Sequence, residues 1–166
     1  QNEINSYQTA QGNIDEQNNL LQTALLQAKM IAGLVDVKGK GLIITLNNGI
    51  DTIRESDILK ILNELRACDV QAISINNERI VAMSEIRSAG GYFIINGRQV
   101  LPPIEIKVIA DPSNVEYALN MTGGVLKSLE MYLDIKVKTS DEVIIPKVRD
   151  DGTVINTSLL TPVESK

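Results

Sequence analysis

At 166 residues the chain has room for one modest domain and an accessory element. Apolar residues at 43% and charged residues at 22% describe a globular chain rather than a disordered one. A net charge of -5 repels phosphate backbones and anionic lipid surfaces, so nucleic acid is not an expected partner.

Residues 1–36 are rich in Gln and Asn and lack Pro. Alternating steps of three and four from Ile4 select Tyr7, Gln11, Ile14, Asn18, Leu21, Leu25, Ala28, Ala32 and Val35, a heptad seam with two polar interruptions. The seam predicts a long self-associating helix, with Asn18 fixing register in a homodimer. A solitary amphipathic helix packed on its own domain is the competing reading. "VKGKG" breaks the helix, and "LIITLNNG" follows as a strand ending on a turn signal.

"ESDILKILNELRACDV" is helical, with Ser56 as candidate N-cap and Ile58, Leu59, Ile61, Leu62 and Leu65 at helical spacing. "QAISI" is the next strand, and "NNE" turns the chain into "RIVAM". "YFII" is a buried-type strand, and Asn96-Gly97 predicts a two-residue type I′ turn into "RQVL", which Pro102-Pro103 stops. "IEIKVIA" is a further strand. Asp111-Pro112 then reads as N-cap and first residue of a helix over "SNVEYALN". Thr122-Gly123-Gly124 interrupts, "VLKSLEMYL" resumes the helix, and "IKVKTSDEVIIP" reads as strands paired around a Ser-Asp turn. The remainder reads as a polar tail.

The expected architecture is therefore α+β: a coiled-coil helix over 1–36, a ferredoxin-like sandwich with extra β-hairpins over 37–147, and a tail over 148–166. The sheet is expected to be covered on one face by helices.

The chemistry available is narrow. Histidine is absent, which removes Ser-His-Asp and Cys-His catalysis and the commonest zinc ligand. Cys68 is the single cysteine, so no internal disulfide forms; it reads as a small core residue, with a reactive thiol as the alternative. No run of about 18 apolar residues marks a membrane span. An enzyme is not expected, nor is a cofactor or metal.

Binding chemistry gathers around "SEIRSAGGYFIINGR". Gly90-Gly91 beside Arg87 is either an amide cradle for an anion or a tight bend into "YFII". The phosphate-loop pattern fails there, because no Lys-Ser or Lys-Thr follows and a strand comes next. Thr122-Gly123-Gly124 precedes a helix, as an anion site does, and equally breaks one. Arg66, Arg79 and Arg87 either contact a ligand or clamp neighbouring carboxylates such as Glu64, Glu78 and Glu85.

"ILNELRACDVQAISINNERI", "SEIRSAGGYFIINGRQVLPPIEIKVIADP", "LNMTGGVLKSL" and "IKVKTSDEVIIP", in this order, resemble the bacterial family called domain of unknown function 881. The resemblance spans roughly 38–146 and includes Asn76, Arg79, Arg87, Gly90 and Gly91. Ser88 stands where the family often has Cys. The resemblance implies a short cytoplasmic start, one transmembrane helix, a coiled coil and this domain outside the membrane. Gln1 in place of Met fits an anchor upstream. In Gram-positive bacteria such genes are often near cell-division and envelope genes.

The resulting expectation is a non-enzymatic cell-envelope interaction module, membrane-anchored and extracytoplasmic, that dimerises through its helix and docks an envelope or division protein. The alternative is a sensor of a small anionic ligand or cell-wall fragment. Arg87, Gly90, Gly91, Arg79, Asn76 and Arg66 are the candidate binding residues.

Overall fold

The structure, a computed structural model, describes residues 2–121 and 124–163, with side chains of the first helix described from residue 13 onward. The side chains of Ile4, Tyr7 and Gln11, the pair Thr122-Gly123 and the end of the tail lie outside the described residues.

Helix α1 (Asn2–Ile31) leads into strand β1 (Val37–Asn48), helix α2 (Glu55–Ala67), and strands β2 (Ala72–Ile75) and β3 (Glu78–Ile80). Three short strands follow, β4 (Ile86–Ala89), β5 (Tyr92–Ile95) and β6 (Arg98–Val100). The chain closes with β7 (Ile104–Ile109), α3 (Pro112–Asn120), α4 (Val125–Leu129) and β8 (Leu133–Ile145). This is an α+β fold.

The main sheet has the order β3-β2-β7-β1-β8, all antiparallel. Two strand-helix-strand units interleave: β7 lies between β1 and β2, and β1 lies between β7 and β8. Leu42, Ile44 and Leu46 of β1 and Ile104, Ile106 and Val108 of β7 alternate onto one face and are buried. There they meet Ile58, Ile61, Leu62 and Leu65 of α2, Val115 and Leu119 of α3, and Leu126 and Leu129 of α4. The small sheet β4-β5-β6 adds Phe93, Ile95 and Val100 to the same core. With 3% aromatic residues, Ile, Leu and Val supply nearly all of this volume.

Three two-residue hairpin turns carry positive φ at both positions: Asn76-Asn77, Gly90-Gly91 and Asn96-Gly97. That is the type I′ signature, and Asn and Gly are the residues that adopt it at least cost. Asp111 caps α3 through its carboxylate, and Pro112 starts the helix, as the sequence predicts.

Four expectations are corrected. "VKGKG" is not a break but the start of β1, because its backbone pairs along β8 from Val37 onward. The second half of "VLKSLEMYL" is not helical, since α4 ends at Leu129. "IKVKTSDEVII" is not a hairpin: β8 runs unbroken beside β1, with one bulge where Gly39 faces Val143 and Gly41 faces Ser140. The Ser-Asp signal is spent on that bulge, where the Ser140 hydroxyl donates to the Glu142 carbonyl at 2.9 Å. The N-cap of α2 is Arg54 rather than Ser56, because the Asp57 carboxylate reaches back to accept from the Arg54 N–H at 3.0 Å.

The start of the tail is also packed more firmly than its polarity suggests. Val148 and Val154 are buried, and the Val148 N–H donates to the Gly33 carbonyl at 2.8 Å.

Gly41 sets the spacing of the central strands: a Cβ there would lie 1.8 Å from the Val108 carbonyl oxygen. Gly41→Ala is expected to cost more than about 3 kcal/mol or to prevent folding, since the clash is with backbone. A urea midpoint within error of the parent would contradict that geometry.

Candidate functional site

The joint between α1 and the sheet is the first place where polar chemistry and packing converge. The last turn of α1 closes with the Gly33 N–H on the Met30 carbonyl at 3.1 Å and the Leu34 N–H on the Lys29 carbonyl at 2.8 Å. Gly33 takes a φ of 77°, as this paired closure requires. It is also packed tightly, for an added Cβ would lie 2.8 Å from Val81 Cγ1 and 3.3 Å from Val148 Cγ2.

Arg79 on β3 reaches the same turn. It is 4% exposed, and its Nη2 donates to the Met30 carbonyl at 3.3 Å. Among the described residues no carboxylate pairs with it. The nearest compensation is the negative end of the α1 dipole, whose last carbonyls face a cation there favourably. Burial holds the Arg79 guanidinium below its ordinary pKa.

Around Arg79 a second set of contacts holds the tail. Glu78, almost fully buried, receives Arg98 at 3.3 Å and Arg149 at 3.2 Å. Arg149 also donates to the Asn96 carbonyl, and Asn96 Nδ2 donates to the Arg79 carbonyl at 2.9 Å. Asn76 is absorbed by the turn, since its Oδ1 accepts from the Glu105 N–H at 2.9 Å and its Nδ2 donates to the Pro103 carbonyl at 3.2 Å.

The second place is a cleft of 930 Å³ between the start of α2 and the small sheet. Arg54, Glu55 and Ser56 form one wall and Ser88, Gly91 and Tyr92 the other. Glu55 Oε2 accepts from the Ser88 N–H at 2.9 Å and ties the two walls together. Behind the cleft, buried Asp57 accepts from the Tyr132 hydroxyl at 2.9 Å, and Arg54 stacks 5.4 Å from the centre of the Tyr132 ring. Burial, then the bond to Asp57, raises the Tyr132 hydroxyl above its ordinary pKa. Arg54 is raised by its own bond to Asp51.

The six residues named from sequence thus fall in three places. Asn76 and Arg79 share the β2–β3 hairpin, and Gly90-Gly91 turn β4 into β5 with exposed Arg87 paired to Glu85 at 3.3 Å. Arg66 stands exposed in the last turn of α2. An added Cβ at Gly90 or Gly91 would meet nothing within 4 Å, so these glycines serve the turn's positive φ rather than a close approach. Cys68 donates its thiol to the Glu64 carbonyl at 3.1 Å, and burial raises its pKa, which fits the core reading.

Arg149, Asp57 and Tyr132 were not legible as site residues, and Glu78, expected beside a neighbouring arginine such as Arg79, pairs with Arg98 and Arg149 instead. Asp57 three places after Arg54 is the one available signal, because an acid at the third helical position can cap the helix start.

A small α+β module whose sheet is tied to the last turn of a long N-terminal helix is what this architecture defines. The family described as bacterial protein of unknown function (DUF881) matches residues 24–156, and the chain belongs to that family. The UPF0749 protein YlxW of Bacillus subtilis is 29% identical over 113 residues, covering 62% of this chain and 49% of that protein. The UPF0749 protein Rv1825 of Mycobacterium tuberculosis is 29% identical over 129 residues, covering 75% of this chain and 44% of that protein. The chain therefore spans about half the length of the curated relatives it matches. A crystal structure of an uncharacterized conserved protein from Mycobacterium tuberculosis superposes with a TM-score of 0.70 at 24% identity, covering 84% of this chain and 99% of that one. That likeness is one of fold.

Asp57→Ala is expected to cost about 2 kcal/mol, and Tyr132→Phe about 1 kcal/mol, by urea unfolding. Because they share one hydrogen bond, the double variant should cost less than the sum. Strict additivity would show that the Tyr132–Asp57 bond does not form in solution.

Proposed function

We propose that the chain is a non-enzymatic interaction module in which α1 pairs with a second copy and holds the α+β domain in a fixed orientation. The observation that carries this reading is the contrast along α1. Its last turn is clamped by Gly33, Arg79 and Val148, while every described side chain from Asn13 to Ala32 is exposed. Ile14, Leu21 and Leu25 of the heptad seam are 51%, 68% and 55% exposed. An exposed leucine seam without a partner in its own chain is what helix pairing would bury. Nine residues, about two and a half turns, separate Leu21 from Met30. The seam therefore faces away from the side of the helix that Met30 turns to the sheet.

The domain carried by this helix is read as ferredoxin-like, which the interleaving of two strand-helix-strand units supports. Its task in this reading is to dock a protein partner of the cell envelope or division apparatus, outside the membrane, on a chain anchored upstream. The family's expected plan supports that placement. Among the described residues no helix is long and apolar enough to cross a membrane.

Sedimentation velocity tests the pairing. The parent is expected to be dimeric at micromolar concentration and the double variant Leu21→Asp, Leu25→Asp monomeric, with thermal unfolding of the domain unchanged because both side chains are exposed. A parent that stays monomeric at high concentration would end the pairing reading. Crosslinking in cells with the parent and the double variant would then report whether partner capture depends on pairing.

A second reading, a sensor of a small anionic ligand or cell-wall fragment, is favoured by the 930 Å³ cleft, which brings Gly91 and Ser88 to Arg54 at the start of α2. In this reading Arg54 replaces Arg87 as the contacting cation. Ligand-dependent thermal stabilisation should vanish in Arg54→Ala and persist in Arg87→Ala. The opposite pattern would return the site to the β4–β5 hairpin.

A further inference from the structure

Helices α2, α3 and α4 cover one face of the main sheet, and the other face, which the end of α1 borders, holds an unusual pair of polar atoms. In an antiparallel ladder, directly opposed residues project to the same side. Ser74 on β2 faces Arg79 on β3, so both side chains leave the sheet on the face opposite the helix-covered core. Ser74 is 0% exposed and its hydroxyl has no hydrogen-bond partner. Arg79 is 4% exposed and its Nη1 has none either, although Nη2 is spent on Met30. Buried polar groups are almost always satisfied, so the open donor of Arg79, the one of this pair that borders a groove, marks a place able to receive an acceptor.

What surrounds them defines the rest of the occupant. Arg79 lines a groove of 470 Å³ whose apolar walls are Met30 and Ile31 of α1 and Val37, Ala72 and Ile109 of the sheet. A second groove of 280 Å³ continues past Ile31, Ala72 and Arg79 toward Val81 and Met83. No acidic residue lines either groove. Lys38, also at the rim, is engaged by Glu142 at 3.0 Å, which leaves Arg79 as the lining cation with no carboxylate partner among the described residues. The combined space falls within the range of roughly 300–1,000 Å³ typical of small-molecule sites.

We propose that this groove binds an unbranched long-chain carboxylate. The carboxylate accepts from Arg79 Nη1, and the alkyl chain runs along Val37, Ala72 and Ile109 beneath Met30 and Ile31. Nη1 exposes less than 1 Å² in the unliganded chain, so the head enters as Met30 turns aside. Met30 is 38% exposed, and its unbranched thioether rotates readily. A carboxylate fits because its oxygen can take the bond that Nη1 offers and its charge complements that of the guanidinium. An alkyl cation of the same length would meet the like charge of Arg79 and leave Nη1 unsatisfied.

Isothermal titration of the full chain with decanoate, decylamine and decyl phosphate, each below its micellar range, tests this. Decanoate is expected to bind and to raise the unfolding temperature, and decylamine to do neither. Arg79→Gln should weaken decanoate by at least about tenfold, the equivalent of one lost charged hydrogen bond. Because Arg79 also clamps α1, Ile31→Glu provides an arm that does not threaten folding. Ile31 is 86% exposed, and a carboxylate at that rim should repel the ligand by a similar factor. Equal binding of decanoate and decylamine, no response to Ile31→Glu, or absence of decanoate binding would overturn the proposal. Tighter binding of decyl phosphate than of decanoate would overturn the carboxylate assignment. None of these outcomes bears on helix pairing, which sedimentation reads separately.

Discussion

A buried guanidinium with no carboxylate partner among the described residues is the constraint from which the arrangement of this chain follows. A charge taken out of water needs compensation, and Arg79 finds it in the carbonyl end of α1, through Met30. A cation in a partly buried position at a helix C-terminus is worth up to about 2 kcal/mol, and it requires the helix end to stay where it is. Gly33 makes that position reachable, since a side chain there would press on Val81 and Val148 and strain the positive φ. The helix thus enters the domain through a joint in which charge, turn geometry and packing all specify one orientation. Whatever engages α1 at its exposed seam acts on the domain through this joint.

The interleaved sheet explains why the joint can be firm. Because β7 inserts between β1 and β2, and β1 between β7 and β8, residues far apart in sequence become neighbours throughout the core. The β2–β3 hairpin that carries Arg79 is tied inward by the β2–β7 ladder. It is tied outward by the contacts of Glu78 with Arg98 and Arg149. The tail segment beginning at Val148 closes over the same place. Several weak ties from separate parts of the chain converge on one small region, which resists movement better than any of them alone.

Local signals were legible where backbone chemistry dictates the outcome. Asn96-Gly97 and Asp111-Pro112 announce a turn and a helix start because few other residues accept those conformations. The α+β class and the alternating strands were legible for the same reason. Ser140-Asp141 misled because a turn former also suits a bulge, and only the continuous partner strand β1 decides between them. Tail residues such as Arg149 were not legible, since their partners Glu78 and Asn96 are more than 50 residues away and no pattern in the sequence links them. Asn76 and Arg79 were marked as interesting by sequence, but only the ladder shows that one is absorbed in a turn and the other left with a free donor.

The two polar centres differ in completeness, and the difference is physical. At the start of α2, Asp57 has both oxygens engaged, by the Arg54 N–H and the Tyr132 hydroxyl. On the open face of the sheet, Ser74 and Arg79 keep donors without acceptors while lying under almost complete cover. A structural network that size is normally closed, because each open donor subtracts from a folding free energy of only about 5–15 kcal/mol. The same reserve is useful if an acceptor arrives from outside, since its binding then recovers what folding left unspent. The α2 cluster is finished architecture, whereas the open donor of Arg79 is the feature on which the proposed site rests.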